Sequence, residues 1–163
     1  VKIKIMMKKT AIVFLVVLMG LVEAAHGQTN RAIGIRTGGG YGYGGELSLQ
    51  LPLKSNRFEL GLGWVAASRF NGVAVNGVYQ FIVPLNQGFR WYYGLGGHVS
   101  SFDSRRNWGT TNEGRLGILG QVGVEYFFSE LPLQLSLDAR PGLFVGHRAG
   151  LGIDVGLGAR IYF

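Results

Sequence analysis

His98-Val99-Ser100 is where the residue types and spacing of this chain suit nucleophilic chemistry. Side chains two apart on an extended strand share a face, so His98 and Ser100 would stand together as base and hydroxyl nucleophile. That pair could carry acyl transfer. The competing reading is a histidine satisfied by hydrogen bonds inside a packed interior. Arg105, Arg106 and Trp108 form a second candidate, since guanidinium groups suit phosphates and tryptophan suits an interface. Its alternative is an ordinary solvated loop. A third set is spread along the chain: Arg36, Arg90, Arg115, Arg140 and Arg160 against Glu46, Glu59, Glu125, Asp138 and Asp154. Metal chemistry is not expected, because His26, His98 and His147 are scattered and cysteine is absent. The glycine run from Gly38 to Gly45 has no following helix to complete a phosphate cradle, so it reads as a hairpin tip or strand end, and no cofactor is expected.

The elements that must position these groups are strands. The chain has 163 residues, enough for one domain, with 28 glycines and only 15% charged residues. Lysines precede an apolar run from Ala11 to Val22, and small residues follow at Ala25 and Gly27. Those twelve residues would rise only about 18 Å as a helix, short of a ~30 Å hydrocarbon core. Residues 1–27 therefore read as a cleaved secretory signal and residues 28–163 as the working domain. From Gln28 onward there are 12 Lys+Arg and 8 Asp+Glu, a net +4. These charges are scattered singly rather than gathered in a patch, which argues against nucleic-acid binding.

After Gln28 the pattern is period two, with no helical stretch, and eight segments alternate in this way. The last is the cleanest. Leu151, Ile153, Val155, Leu157, Ala159, Ile161 and Phe163 share one face, while Gly152, Asp154, Gly156, Gly158, Arg160 and Tyr162 share the other. Earlier segments follow suit, as in Leu47, Leu49, Leu51 and Leu53 opposite Glu46, Ser48 and Gln50. Ser101 to Gly114 reads as the longest connection, and Pro141 is expected to mark a bulge or a strand's outer end. Each apolar face is nearly free of charge, whereas the polar faces hold glycine and balanced ions. That points the oily side outward and the ions into a narrow bore, the reverse of a soluble barrel.

The closing strand resembles that of bacterial outer-membrane β-barrels, whose insertion signal has a glycine, a hydrophobic residue and a terminal aromatic at the spacing of Gly158, Ile161 and Phe163. With the strand count, the working domain is similar to the small eight-stranded outer-membrane barrel superfamily. The resemblance implies an all-β, antiparallel, up-and-down transmembrane barrel in the outer membrane of a Gram-negative bacterium. Implied partners are outer-membrane lipids, lipopolysaccharide and the barrel-insertion machinery, with the protein a monomer. If the domain starts on the periplasmic side, Phe58, Tyr79, Phe81, Phe89, Trp91, Tyr126, Phe128 and Phe163 fall at one level as an interfacial girdle. The ionic set becomes a structural plug in the bore, since an eight-stranded barrel is just wide enough for side chains to fill. Outer-membrane lipid A deacylases use a His-x-Ser pair, which makes a lipid-modifying enzyme the alternative for His98 and Ser100. A narrow channel is another. The parity of His98 and Ser100 matches Arg90 and Tyr92, aiming the pair at the bore and away from lipid, so a non-enzymatic structural or surface-interaction role is expected.

Overall fold

The structure, a computed structural model, describes residues 31–38, 44–67, 70–106, 109–146 and 149–163, with the side chains of 65–71 and 104–112 outside the description. The signal read in residues 1–27 lies outside the described residues, as do positions 39–43 of the glycine run. Eight strands follow in order: β1 (Ala32–Gly38), β2 (Gly45–Leu53), β3 (Asn56–Ala67), β4 (Phe70–Pro84), β5 (Phe89–Arg106), β6 (Gly109–Phe127), β7 (Leu133–Gly146) and β8 (Gly150–Tyr162). Each pairs antiparallel with its neighbour in sequence, and β1 pairs with β8 to close a barrel. Closure leaves no sheet edge around the staves.

The polarity is inverted relative to a soluble protein. Ile35 is 55% exposed and Leu157 63%, while Arg36 and Arg160 on the same two strands are each 1% exposed. The same split runs along every strand, with Leu95, Ile118, Leu143 and Ile153 outside and Glu46, Glu59, Asp138 and Asp154 inside. Glycines on the inner face make room for long ions. A Cβ at Gly156 would sit 2.4 Å from the Arg36 guanidinium carbon, and one at Gly61 would sit 2.8 Å from the Glu46 carboxylate.

One end of the barrel carries both described termini, where Arg31 and Phe163 exchange backbone hydrogen bonds at 2.8 and 3.1 Å. Aromatic side chains touch in series around this end. Tyr79 meets Phe81, Phe81 stacks on Tyr93, Tyr93 meets Trp91, Phe89 meets Tyr126, and Tyr126 meets Phe128. Tyr93 joins the band expected from sequence. At the opposite end the expected long connection is absent. Ser101–Arg106 and Gly109–Gly114 continue the β5–β6 ladder in unbroken register, from Ser101↔Gly114 to Arg106↔Gly109. The sequence of this segment lacks the period-two pattern, yet its backbones pair regardless.

Pro141 also departs from expectation. It lies within β7, neither at a bulge nor at an end. Its ladder with β8 is continuous through Pro141↔Ile153. On the β6 side pairing stops at Leu119↔Gly142 and resumes at Val122↔Ala139 in the same register. A proline lacks one donor, so the strand loses local pairing on one side and keeps its path. Gly120 faces the ring, leaving an added Cβ only 3.3 Å from Pro141 Cγ.

Candidate functional site: the ionised bore

The inner faces of all eight strands converge on one network of hydrogen bonds and ion pairs, its two parts joined by Arg140 and Asp138 at 3.8 Å. Glu59 on β3 is its hub. One carboxylate oxygen accepts from Arg140 at 2.6 Å and Arg160 at 3.2 Å, and the other accepts from Gln50 at 2.7 Å and Gln80 at 2.9 Å. Arg140 also donates to Glu46 at 2.7 Å. Arg160 spends its remaining donors on Ser48 at 2.8 Å and Ser136 at 2.7 Å. Arg36 forks onto Asp138 through Nε at 3.0 Å and Nη2 at 2.6 Å, and reaches Asp154 through Nη1 at 2.5 Å. Tyr92 donates its hydroxyl to Asp138 at 3.2 Å. Four carboxylates, Glu46, Glu59, Asp138 and Asp154, and their guanidinium partners thus sit nearly dry in charge-assisted bonds.

Arg57 is the member that sequence reading missed. It binds Glu125 in fork-to-fork fashion at 2.9 and 2.5 Å, donates to Gln80, and lies 4.9 Å from the centre of the Tyr92 ring. Gln134 completes the Glu125 site at 2.6 Å. The parity of Arg57 with Glu59 was the available signal, obscured because Arg57 directly follows a tight turn. Arg90 and Arg115, which the sequence grouped with the other bore arginines, are only half-buried. Arg90 lies 4.2 Å over the Phe127 ring, and Arg115 lies 3.6 Å over the Phe144 ring.

The bore is not polar throughout. Ala74, Val78, Leu119 and Phe144 form a buried apolar cluster inside it. The Phe144 ring fits because Gly117 and Gly142 carry no side chain; a Cβ at either would stand 2.4 or 2.5 Å from that ring. These residues share inward parity with their polar neighbours, so alternation alone could have placed them. The expectation of a wholly polar interior hid them.

His98 and Ser100 point into the bore and are each 4% exposed. His98 Nε2 lies 2.9 Å from Ser100 Oγ, and Nδ1 lies 2.7 Å from Asn76 Oδ1. Asn76 donates its amide to Glu46 at 2.8 Å. That donation turns the Asn76 oxygen toward His98, so Nδ1 carries the imidazole proton and Nε2 accepts from the Ser100 hydroxyl. The result is a chain of donors running from Ser100 to Glu46. It resembles a primed nucleophile in its proton order, yet it opens toward packed side chains and away from the apolar exterior.

The remaining sequence candidates divide in two. Trp108 and the side chains of Arg105 and Arg106 lie outside the described residues. Ile161 on β8 and Phe163 just past it are 57% and 62% exposed, while Gly158 faces inward beneath Ser136 and Arg160. Among the described residues no cluster of His, Asp and Glu is arranged to hold a metal ion.

No protein-family model matches the chain, and no curated protein matches it. Among solved structures it is similar to Neisserial surface protein A (NspA), with a TM-score of 0.60 and 12% identity over 83% of this chain and 96% of that one. It is similar also to the N-terminal β-barrel domain of Pseudomonas aeruginosa OprF, with a TM-score of 0.62 and 16% identity over 83% of this chain and 98% of that one. At such identities the likeness is one of fold. The protein has the closed antiparallel architecture of the small eight-stranded outer-membrane β-barrels.

Proposed function

We propose that this protein is an integral barrel of the bacterial outer membrane, non-enzymatic, with a structural or surface-interaction role exercised through its outer loops. The observation that carries this reading is the inversion of polarity. Lipid accepts a belt of leucine, isoleucine and valine that water would not, and only a closed barrel or a helix satisfies its backbone in hydrocarbon. The aromatic band at the terminal end supports placing one interface there. In this orientation the β5–β6 hairpin stands on the outer side, and Arg105, Arg106 and Trp108 are suited to lipopolysaccharide phosphates. Gly158, Ile161 and Phe163 would be read by the insertion machinery, and the finished barrel would stand as a monomer.

A filled bore favours support over conduction, since the network and the apolar cluster occupy the space an ion path needs. Lipid modification through His98 and Ser100 is disfavoured by their inward direction. The test is fractionation followed by electrophoresis with and without boiling. A barrel in the outer membrane stays with the detergent-extracted envelope and migrates differently when heated. Recovery from the periplasm without detergent overturns the reading.

A further inference from the structure

Seven of the eight ladders join strands adjacent in sequence, where a short connection helps fix the register. The β1–β8 seam has no such tether. It joins the two ends of the domain through Ile33↔Ile161, Gly34↔Arg160, Ile35↔Ala159 and Arg36↔Gly158. Outward and inward faces repeat every two residues, so a slip of two preserves the whole apolar pattern. Alternation therefore cannot choose among such registers, although the choice sets the stagger and width of the barrel.

We infer that Gly34 and Arg36 select the register at which the barrel closes, Gly34 as the residue without a side chain that fits opposite Arg160 and Arg36 through the charge that Asp138 and Asp154 hold. Moving β1 one way places Arg36 opposite Arg160, two guanidiniums side by side, and draws Arg36 away from Asp138 and Asp154. Moving it the other way places Ala32 opposite Arg160. The backbone there leaves no room for a side chain: a Cβ on Gly34 would stand 2.0 Å from the Ala159 carbonyl oxygen and 2.5 Å from the Arg160 Cα. Ala32 would bring a methyl group into that space. The Arg36 side chain would enter that same space in the first slip, so steric exclusion opposes both slips and charge adds to it only in the first.

The chain has no cysteine, so disulfide trapping reads the seam directly. Cross-strand partners lie within disulfide reach, whereas diagonal neighbours stand about 7–8 Å apart. Three cysteine pairs report the registers: Ile35→Cys with Ala159→Cys for the observed one, Ile35→Cys with Ile161→Cys for the first slip, and Ile35→Cys with Leu157→Cys for the second. Full-length protein is refolded in detergent, and only material with heat-modifiable mobility is scored. In the parent, the 35–159 bond dominates. Arg36→Gly combined with Asp138→Asn and Asp154→Asn removes both the charge and the side chain, and should raise the 35–161 bond at least tenfold while leaving 35–157 unchanged. Ala32→Gly, which touches no charge and keeps the proposal testable should the triple variant not fold, should raise 35–157 alone. Persistence of the 35–159 bond as the sole product in folded samples of these variants overturns the inference. Equal rises of both slipped bonds in one variant overturn the assignment of the two slips to the residues, Arg36 and Ala32, that they bring opposite Arg160.

Discussion

The two sides of the bore solve the problem of filling a narrow barrel differently. Against β1, β2, β3, β7 and β8, space is filled by Arg36, Arg140, Arg160 and the acids they hold. Against one stretch each of β4, β6 and β7, around Gly117 and Gly142, it is filled by Ala74, Val78, Leu119 and Phe144. The apolar side needs only shape, and its residues could be exchanged for others of like volume at modest cost. The ionic side needs direction as well. Each acid is desolvated, so its stability depends on every donor being in place, and removal of one partner leaves an uncompensated charge. The contrast makes single substitutions costly on both sides but predicts that paired substitutions behave differently.

The largest effect should come from Arg140→Met. It deletes guanidinium bonds to both Glu46 and Glu59 while keeping much of the side-chain volume. Breaking a buried ionic unit from one side costs about 3–5 kcal/mol. Reversible unfolding in urea from a lipid or detergent host, followed by tryptophan fluorescence, should register that loss. A change under about 1 kcal/mol would mean that water already reaches the network.

Phe144→Ala comes next, from the opposite wall. It empties the space between Gly117 and Gly142 and removes the ring beneath Arg115 and beside His98. A large-to-small change in a packed interior costs about 3 kcal/mol. Leucine at the same place should recover more than half of it, because shape is the main requirement there. Arg140→Lys should recover much less, since a single ammonium cannot reproduce a fork spanning two carboxylates. That difference in rescue is the sharpest test of the contrast between the walls.

The eight strands were legible from a single period of two, and the direction of the oily face from its near lack of charge against the glycine and balanced ions of the other face. Leu157 against Gly158, or Leu137 against Asp138, tells the story locally. The site was legible only in outline. Parity placed Glu59 and Arg140 on inner faces but could not say that they meet, since β3 and β7 are far apart in sequence. Arg57 was lost beside a turn, and Phe144 was lost because aromatic residues are expected to face lipid. The β5–β6 hairpin extension was invisible for a further reason: beyond the apolar belt, strands no longer need alternation to pair.

A pairwise change on the ionic side gives a smaller effect and separates desolvation from attraction. Arg57→Met leaves Glu125 with the Gln134 amide, and Glu125→Gln leaves Arg57 with Gln80. Each single change should destabilise by roughly 1.5–3 kcal/mol, the worth of hydrogen bonds to a charged group, because one partner remains on either side. The double variant should cost less than the sum of the two, and less than Arg57→Met alone, because no unpaired ion remains. A double-mutant cycle read by urea unfolding gives the coupling. Additive losses would show that Arg57 and Glu125 are held by other neighbours and do not act as a pair.

Ser100→Ala should have the smallest effect, and it decides what the donor chain at the end of the network is for. The substitution removes a hydroxyl that donates to His98 and leaves the imidazole Nε2 without that bond. One buried hydrogen bond between neutral groups is worth about 1 kcal/mol, so the barrel should remain folded with a slightly lower urea midpoint. Had Ser100 been a nucleophile acting on membrane lipid, the lipid A profile of expressing cells would change with the variant. An inward-facing Ser100 behind the Phe144 side of the bore predicts an unaltered profile. His98→Gln should mirror it, because glutamine can still accept from Ser100 and donate to Asn76. A lipid profile altered by both substitutions, with stability intact, would move this corner of the bore from filler to catalyst and end the division drawn between its two walls.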